Sequence, residues 1–231
     1  MNEFIRLPQA KIFSPMPSPE LIFVTGGRAP SVEWLLDCAS SIAGIWSIDH
    51  GIDVCHRAKL APQLLIGDLD SARSESIAWA KSLDIPIEVH PVDKDFTDTQ
   101  LALDRAAQLK NPISVVITGA FGGRVDHLFA TLFTCAHSPV RTILADEREV
   151  ICFIRSGESI KILPEQKPFA LSLLPMTEIC RGVSIDGVHW KLNRAKLHQS
   201  FPNAVSNRVE ASEVRASIES GILAVHLFFD R

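Results

Sequence analysis

Residues 113–136 read ISVVITGAFGGRVDHLFATLFTCA. The run ISVVIT is short, apolar and rich in β-branched residues, which is how a strand covered on both faces reads. GAFGGR then interrupts it with three glycines, and HLFATLFTCA (127–136) is an apolar stretch of helical length. A strand that passes through a tight turn into a helix opens a βαβ crossover, so the sheet around it is expected to be parallel.

The alternation extends toward the N-terminus. LIFVTGG (21–27) is an apolar run closed by glycines, SVEWLLDCASSIA (31–43) has helical spacing, and GIWSID (44–49) returns to strand. PQLLIG (62–67), the helical SARSESIAWAKSLD (71–84) and the short IPIEVHP (85–91) continue it. In TDTQLALDRAAQLK (97–110), Ala102, Ala106 and Leu109 share one face. Thr97 and Gln100 form a capping-box pattern, and Asn111-Pro112 stops the helix. VRTILAD (140–146) closes the series. The expectation is a three-layer α/β domain over residues 1–147 with a mainly parallel sheet. Within it, residues 1–20, with Pro8, Pro15, Pro17 and Pro19, read as an extended arm.

From about residue 148 the pattern changes. REVICFI, SIKIL, FALSLLP, GVSIDGVHWKL, RVEAS and ILAVHLFF are short β-like runs separated by turn residues. They predict an all-β second domain over 148–231, a sandwich or barrel, with the boundary at the charged DERE (146–149).

Bulk properties narrow the function. The 231 residues are 46% hydrophobic and 22% charged, ordinary for a globular protein. A net charge of −4 argues against a chain built to grip nucleic acid or anionic membrane. Cys38, Cys55, Cys135, Cys152 and Cys180 are scattered, odd in number and without a CxxC pair, which suits a reducing cytoplasm better than a disulfide framework. The first twenty residues lack the apolar core of a signal peptide, and no run approaches the roughly 18 apolar residues of a membrane span.

Four stretches place polar residues or glycine directly after an expected strand: DHG (49–51), GDLDS (67–71), DKDFTD (93–98) and GAFGGRVDH (119–127). In a parallel sheet such positions gather outside the carboxyl ends of the strands, where α/β folds bind ligands. Asp49, Asp68, Asp70, Asp95 and Asp98, with Asp126, could therefore share one crevice. Clustered carboxylates repel one another, and a hard cation such as Mg²⁺, which takes oxygen ligands, relieves that cost. Gly122 and Gly123 allow backbone N–H groups to approach phosphate, Arg124 adds a planar fork and Lys94 a point charge. Taken singly, GDLDS reads as a turn with a helix cap, DKDFTD as a solvated turn, and GAFGGR as a common glycine turn. Their joint occurrence at strand ends points to phosphoryl transfer. No GxxxxGK[ST], GxGxxG, HExxH or GxSxG is present.

The ordered set DHG, IGDLDS, DKDFTDTQLAL and GAFGGRVDH resembles the thiamine pyrophosphokinases, whose α/β domain carries D-G-G, G-D-F-D-S, K-D-x-T-D and G-G-R-x-D-H in this order. SLLPMTEICRGVSIDGVHWKLN (172–193), AVSNRVEAS (204–212) and SGILAVHL (220–227) are similar to that family's β-rich half. The resemblance spans roughly residues 20–228. It implies an α/β nucleotide-handling domain, a C-terminal β-sandwich, and a homodimer with active sites at the subunit interface. The implied reaction moves a pyrophosphoryl group from ATP to the hydroxyethyl oxygen of thiamine, giving thiamine diphosphate and AMP.

By the same match, Asp68, Asp70 and Asp98 hold Mg²⁺. Asp49, Lys94, Asp95, Gly122, Gly123 and Arg124 line the ATP polyphosphate site. Asp70, Asp98, Arg124 and Asp126 act in catalysis, and Trp190, Ser206 and Asn207 meet thiamine. On the residues alone, Trp190 also reads as a core aromatic, and Ser206-Asn207 as a turn. Other readings keep the fold and change the acceptor, to a pterin alcohol for example, or make the chain a non-catalytic thiamine- or nucleotide-binding homologue. The chain departs from the family at His50, where D-G-G has glycine, at Leu69 for phenylalanine, and in the proline-rich arm.

Overall fold

The computed structural model describes residues 4–91, 93, 95–109 and 113–229. Lys94 and the Asn111-Pro112 stop lie outside them. The chain divides into two compact units: Pro19–Asp146, and the segment up to Ser18 together with the segment from Glu147.

The segment before residue 19 corrects the sequence expectation. It is not an extended arm of the α/β domain but a hairpin of β1 (Ile5–Leu7) and β2 (Ala10–Phe13). Its alternation buries Ile5, Leu7, Ala10 and Ile12, and Pro8 falls in the turn, where a missing N–H costs nothing. β2 then pairs with a strand from the far end of the chain, described below, so residues 5–13 belong to the β-rich unit.

In the unit Pro19–Asp146 the elements alternate as β3 (Pro19–Val24), α1 (Val32–Ala39), β4 (Gly44–Ile48), α2 (Gly51–Ala58), β5 (Leu64–Gly67), α3 (Ser74–Ser82), β6 (Ile87–Val89), α4 (Asp98–Ala107), β7 (Ser114–Thr118), α5 (Val125–His137) and β8 (Arg141–Ala145). The strands run parallel in the order β8-β7-β3-β4-β5-β6. Every residue of β4, β5 and β7 is buried, as expected when helices cover both faces. Phe23 and Trp46, register partners on β3 and β4, stack at 5.3 Å.

Helix α2 has no counterpart in the sequence expectation. It begins on Gly51, the last residue of DHG, and buries Ile52, Val54, Cys55 and Ala58, while Asp53, His56 and Arg57 keep its average hydrophobicity low. Helix α4 starts as expected: Thr97 accepts from the Gln100 N–H, and the Gln100 side chain accepts from the Thr97 N–H. Such caps contribute about 1 kcal/mol.

The other unit contains β9 (Glu149–Arg155), β10 (Ser159–Pro164), β11 (Ala170–Pro175), β12 (Ile179–Asp186), β13 (Leu192–His198), β14 (Val214–Ser217) and β15 (Ile222–Phe228). One antiparallel sheet has the order β1-β2-β10-β14-β12-β13. A second antiparallel set runs β11-β15-β9. The first sheet ends on β1 and β13 and is open, not a closed barrel. GVSIDGVHWKL is not one strand: β12 ends at Asp186, and Gly187 turns with φ +84° against the Glu213 carbonyl. RVEAS forms no strand and contributes a single bridge, Val188 to Val209.

All five cysteines are buried and unlinked. Burial pushes the thiols of Cys55, Cys135 and Cys152 up to about 12, which leaves them poor nucleophiles at neutral pH. Among the described residues no helix is long and apolar enough to cross a membrane.

Candidate active site

The strand order of the Pro19–Asp146 unit creates one switch point. The chain moves outward from β3 through β4 and β5 to β6, then returns to place β7 on the other side of β3. Such a switch point is the expected ligand position in an open α/β sheet. A cleft of about 750 Å³ lies there, lined by Thr25–Gly27, Asp49, Asp68, Asp95–Thr99, Gly119–Ala120 and Gly122–Arg124 among others.

Its floor depends on close backbone approach. The Thr25 N–H donates to the Thr118 carbonyl at 2.9 Å, and Gly27 donates to Gly119 at 2.7 Å. A Cβ on Gly119 would stand 2.2 Å from the Thr25 carbonyl oxygen, and Gly119 has φ +73°. Only glycine fits that position without movement. Arg28, next along, donates its backbone N–H to Phe121 and pairs through its guanidinium with the buried Asp146. The turn after β3 and the glycine loop after β7 are therefore tied to each other.

The carboxylates gather on the β4 and β5 side. One oxygen each from Asp49, Asp68 and Asp70 lies within 4.8 Å of the others. The Asp70 N–H donates to Asp68 Oδ1 at 3.1 Å, and Ser71 Oγ donates to Asp49 Oδ2 at 2.9 Å. The Asp68 carboxylate, by a shared hydrogen bond and then by repulsion, pushes the Asp70 carboxyl above the usual range, with Asp49 and Asp98 adding to the repulsion. Asp49 Oδ1 is buried with no hydrogen-bond partner among the described residues. An all-oxygen donor set, mutual repulsion and an orphaned buried carboxylate oxygen fit a hard divalent cation.

Of the acids expected to hold metal, Asp68 and Asp70 cluster with Asp49 rather than with Asp98. Asp49 had been expected only to line the polyphosphate site. Asp98 lines the cleft from the first turn of α4, with Asp95 in the loop before it. Lys94 lies outside the described residues.

Gly122, Gly123 and Arg124 enter the cleft from the β7 loop, with φ of +70° and +65° at the two glycines. Helix α5 starts at Val125, so its first turn opens beside them, the His127 N–H there donating to Asp126 Oδ1 at 3.0 Å. Asp126 grips the Arg124 guanidinium with two bonds, Oδ2 at 2.6 Å and Oδ1 at 3.2 Å. That pairing holds Asp126 below the usual carboxylate range and raises Arg124 further. Asp126 thus aims the fork rather than lining the cleft.

Sequence reasoning missed Thr25, Gly26, Gly27, Ser71, Phe96, His127 and Thr131, all of which line the cleft. The glycines closing LIFVTGG carried the same strand-end signal as the other four stretches. His127 and Thr131 sit one helical turn apart on α5.

In the β-rich unit Trp190 is 57% exposed, not a core aromatic. Asn207 accepts from the Trp190 N–H at 3.0 Å and donates to the Trp190 carbonyl at 2.8 Å. The Arg208 guanidinium lies 5.3 Å from the Trp190 ring centre, a cation–π distance. Ser206 takes a left-handed conformation, φ +57°, and its N–H donates to Ser172 Oγ. Ser206 thus bends the chain, Asn207 bridges to Leu171, and the Asn207 amide pins the backbone that presents Trp190.

Comparison with known proteins agrees with this layout. The sequence profile described as "Thiamin pyrophosphokinase, catalytic domain" matches residues 37–144. The profile "Thiamin pyrophosphokinase, vitamin B1 binding domain" matches residues 159–223. The two together take in well over half of the chain. The thiamine pyrophosphokinase of Bacillus subtilis is 27% identical over 78% of this chain and 85% of its own length. A crystal structure of a thiamin pyrophosphokinase family protein from Enterococcus faecalis superposes with a TM-score of 0.77 at 26% identity, covering 92% of this chain and all of that one. The Candida albicans thiamin pyrophosphokinase shares the fold, with a TM-score of 0.78 at 13% identity over 92% of this chain and 89% of its own.

Proposed function

The chain belongs to the thiamin pyrophosphokinase family, and on that premise we propose that it makes thiamine diphosphate by moving the pyrophosphoryl group of ATP to the hydroxyethyl oxygen of thiamine, with release of AMP. The observation that carries this reading is the gathering of Asp49, Asp68 and Asp70 after β4 and β5, beside a cleft whose other wall is the glycine loop and Arg124.

The polyphosphate lies in the cleft, between the joined β3 and β7 turns and the acids that follow β4 and β5. Backbone N–H groups of Gly122 and Gly123 and the start of α5 take its oxygens, and Arg124, held by Asp126, adds a planar cation. Lys94 contributes a second positive charge by its place in the family motif. Asp49, Asp68 and Asp70 hold Mg²⁺, with Asp98 and Asp95 facing the same space. When bound, the ion supplies charge neutralisation along the phosphate chain. The protein residues orient the donor and fix its charge environment before reaction, so positioning and electrostatics carry the rate.

The exposed face of Trp190 receives thiamine, with Asn207 holding its backbone and Ser206 bending the chain just before Asn207. A homodimer that completes each site from two subunits follows from the family resemblance, and residence in a reducing cytoplasm suits the scattered, unlinked cysteines. Val125 and Phe129, one turn apart on α5 and 79% and 62% exposed, leave apolar surface suited to a partner subunit. A pterin or other alcohol acceptor, or a chain without turnover, is not favoured: the matched profiles and relatives name thiamine, and the acids are intact.

The deciding experiment incubates the protein with ATP, Mg²⁺ and thiamine and identifies both products. AMP with thiamine diphosphate is expected. ADP in place of AMP excludes pyrophosphoryl transfer, and absence of any thiamine-dependent product excludes thiamine as acceptor. Trp190→Ala is expected to raise the KM for thiamine about 5- to 30-fold, as loss of a stacking contact worth about 1–2 kcal/mol predicts. The KM for ATP should stay within twofold, and an unchanged thiamine KM would remove Trp190 from the binding surface.

A further inference from the structure

The glycine-to-histidine departure at residue 50 has a structural consequence. Of the two family glycines after Asp49, only the second is sterically required here. A Cβ on Gly51 would stand 1.8 Å from the Val24 carbonyl oxygen. Residue 50 has φ −56° and ψ −15°, which any residue adopts. A side chain is therefore free to occupy position 50, and this one reaches across to the acidic loop. His50 Nδ1 lies 2.9 Å from the Ser71 carbonyl oxygen. A carbonyl only accepts, so the ring carries its proton on Nδ1 and donates. Ser71 Oγ in turn donates to Asp49 Oδ2 at 2.9 Å. With the Asp49 N–H donating to the Ile66 carbonyl at 2.7 Å, residues 49 and 50 thus hold both ends of the segment that carries Asp68 and Asp70.

That loop has reason to need fastening. Asp49 and Leu69, neither of them glycine, take left-handed backbone conformations with φ of +49° and +64°. The carboxylates of Asp49, Asp68 and Asp70 repel one another until a cation arrives. Asp53 lies 3.7 Å from His50 Nε2 and accepts from the Arg73 N–H, which anchors the far end of the same loop.

We propose that His50 is a positioning residue which, through its Nδ1–H bond to the Ser71 carbonyl, holds the 67–71 loop against Asp49 and so pre-assembles the cation site before any cation binds. This rests on the cation reading of the Asp49, Asp68 and Asp70 cluster. Holding like charges together in advance removes part of the cost of binding, so the effect appears in cation affinity rather than in the chemical step.

The test titrates Mn²⁺ into the nucleotide-free protein, following free Mn²⁺ by electron paramagnetic resonance, for the parent, His50→Ala, His50→Asn and Asp68→Asn. His50→Ala is expected to weaken Mn²⁺ binding about 3- to 10-fold, the range for one net hydrogen bond. His50→Asn, whose amide nitrogen occupies the Nδ1 position, should stay within about twofold of the parent. Turnover should need correspondingly more Mg²⁺ in His50→Ala, with kcat at saturating Mg²⁺ within twofold. If His50→Ala binds Mn²⁺ like the parent while Asp68→Asn loses it, the positioning role is overturned and the cation reading stands. If His50→Ala and His50→Asn weaken binding equally, the bond from Nδ1 is not the cause and the proposal fails. If Asp68→Asn also binds like the parent, the cation reading fails and takes the proposal with it.

Discussion

Asp70→Asn is expected to lower kcat by at least about 10²-fold at saturating Mg²⁺, ATP and thiamine, the scale of losing one preorganised electrostatic contact to a transition state. The amide keeps the shape of the side chain and removes one negative charge and one oxygen donor from the cluster. In the parent, Asp68, Asp49 and Asp98 all hold the Asp70 carboxyl above the usual range. Such a group is costly to keep charged while the site is empty and useful once a cation fills it. The same substitution should therefore leave the thermal midpoint of the cation-free protein unchanged or higher, because it relieves repulsion. A residue with a purely structural role would lose stability and activity together. Asp104→Asn, on an exposed position of α4 away from the cleft, serves as the charge-matched control and should turn over like the parent. A near-normal rate in Asp70→Asn would take Asp70 out of the cation set and leave Asp49 and Asp68 to hold it.

The strand-end acids could be found from sequence because a parallel sheet sends every strand's carboxyl end to one edge, so local motifs converge without knowledge of strand order. Knowing which wall faces which does require the order. Thr25 meets Thr118 only because β7 returns to lie beside β3, a pairing of residues 93 positions apart. LIFVTGG was legible as a strand and a glycine turn, and its place in the site was not. Non-local pairing also explains the N-terminal hairpin. Ile5, Leu7, Ala10 and Ile12 alternate as a strand should, but the prolines around them suggested an arm, and the partner β10 lies about 150 residues on. Helix α2 was hidden for a different reason. Its first residue is glycine, chosen by the close approach of Val24 rather than by helix propensity.

Asn207 marks a limit of motif transfer. The family's S-N pair implies a place near thiamine, and on the residues alone the pair reads as a turn. In the fold Asn207 bridges to Leu171, and its amide is hydrogen-bonded to the backbone of Trp190, so it shapes the presentation of an exposed ring. His50 shows the converse. A departure from the family glycine looks like damage in an alignment of motifs, yet the backbone at residue 50 never needed a glycine.

Gly119→Ala is expected to be the most disruptive single-methyl change in the cleft. Two independent costs apply. With φ +73° an alanine pays about 1–2 kcal/mol for the left-handed backbone. Its Cβ would also stand 2.2 Å from the Thr25 carbonyl oxygen and 2.9 Å from the carbonyl carbon. Both are backbone atoms that cannot swing aside, so the glycine loop or the β3 turn must shift, which adds about 1–3 kcal/mol. A total of roughly 2–5 kcal/mol corresponds to a fall of roughly 4–20 °C in the melting midpoint. Gly123 isolates the first cost. It lies in the same loop with φ +65°, and a Cβ there meets nothing within 4 Å. Gly123→Ala should therefore lose only the backbone contribution, about half as much or less. Differential scanning calorimetry of both variants decides the matter. Equal losses would mean that conformation alone governs this loop and that the contact between Gly119 and Thr25 yields readily. A loss confined to Gly119→Ala, accompanied by a higher KM for ATP, would tie the close approach of β3 and β7 directly to the shape of the polyphosphate site.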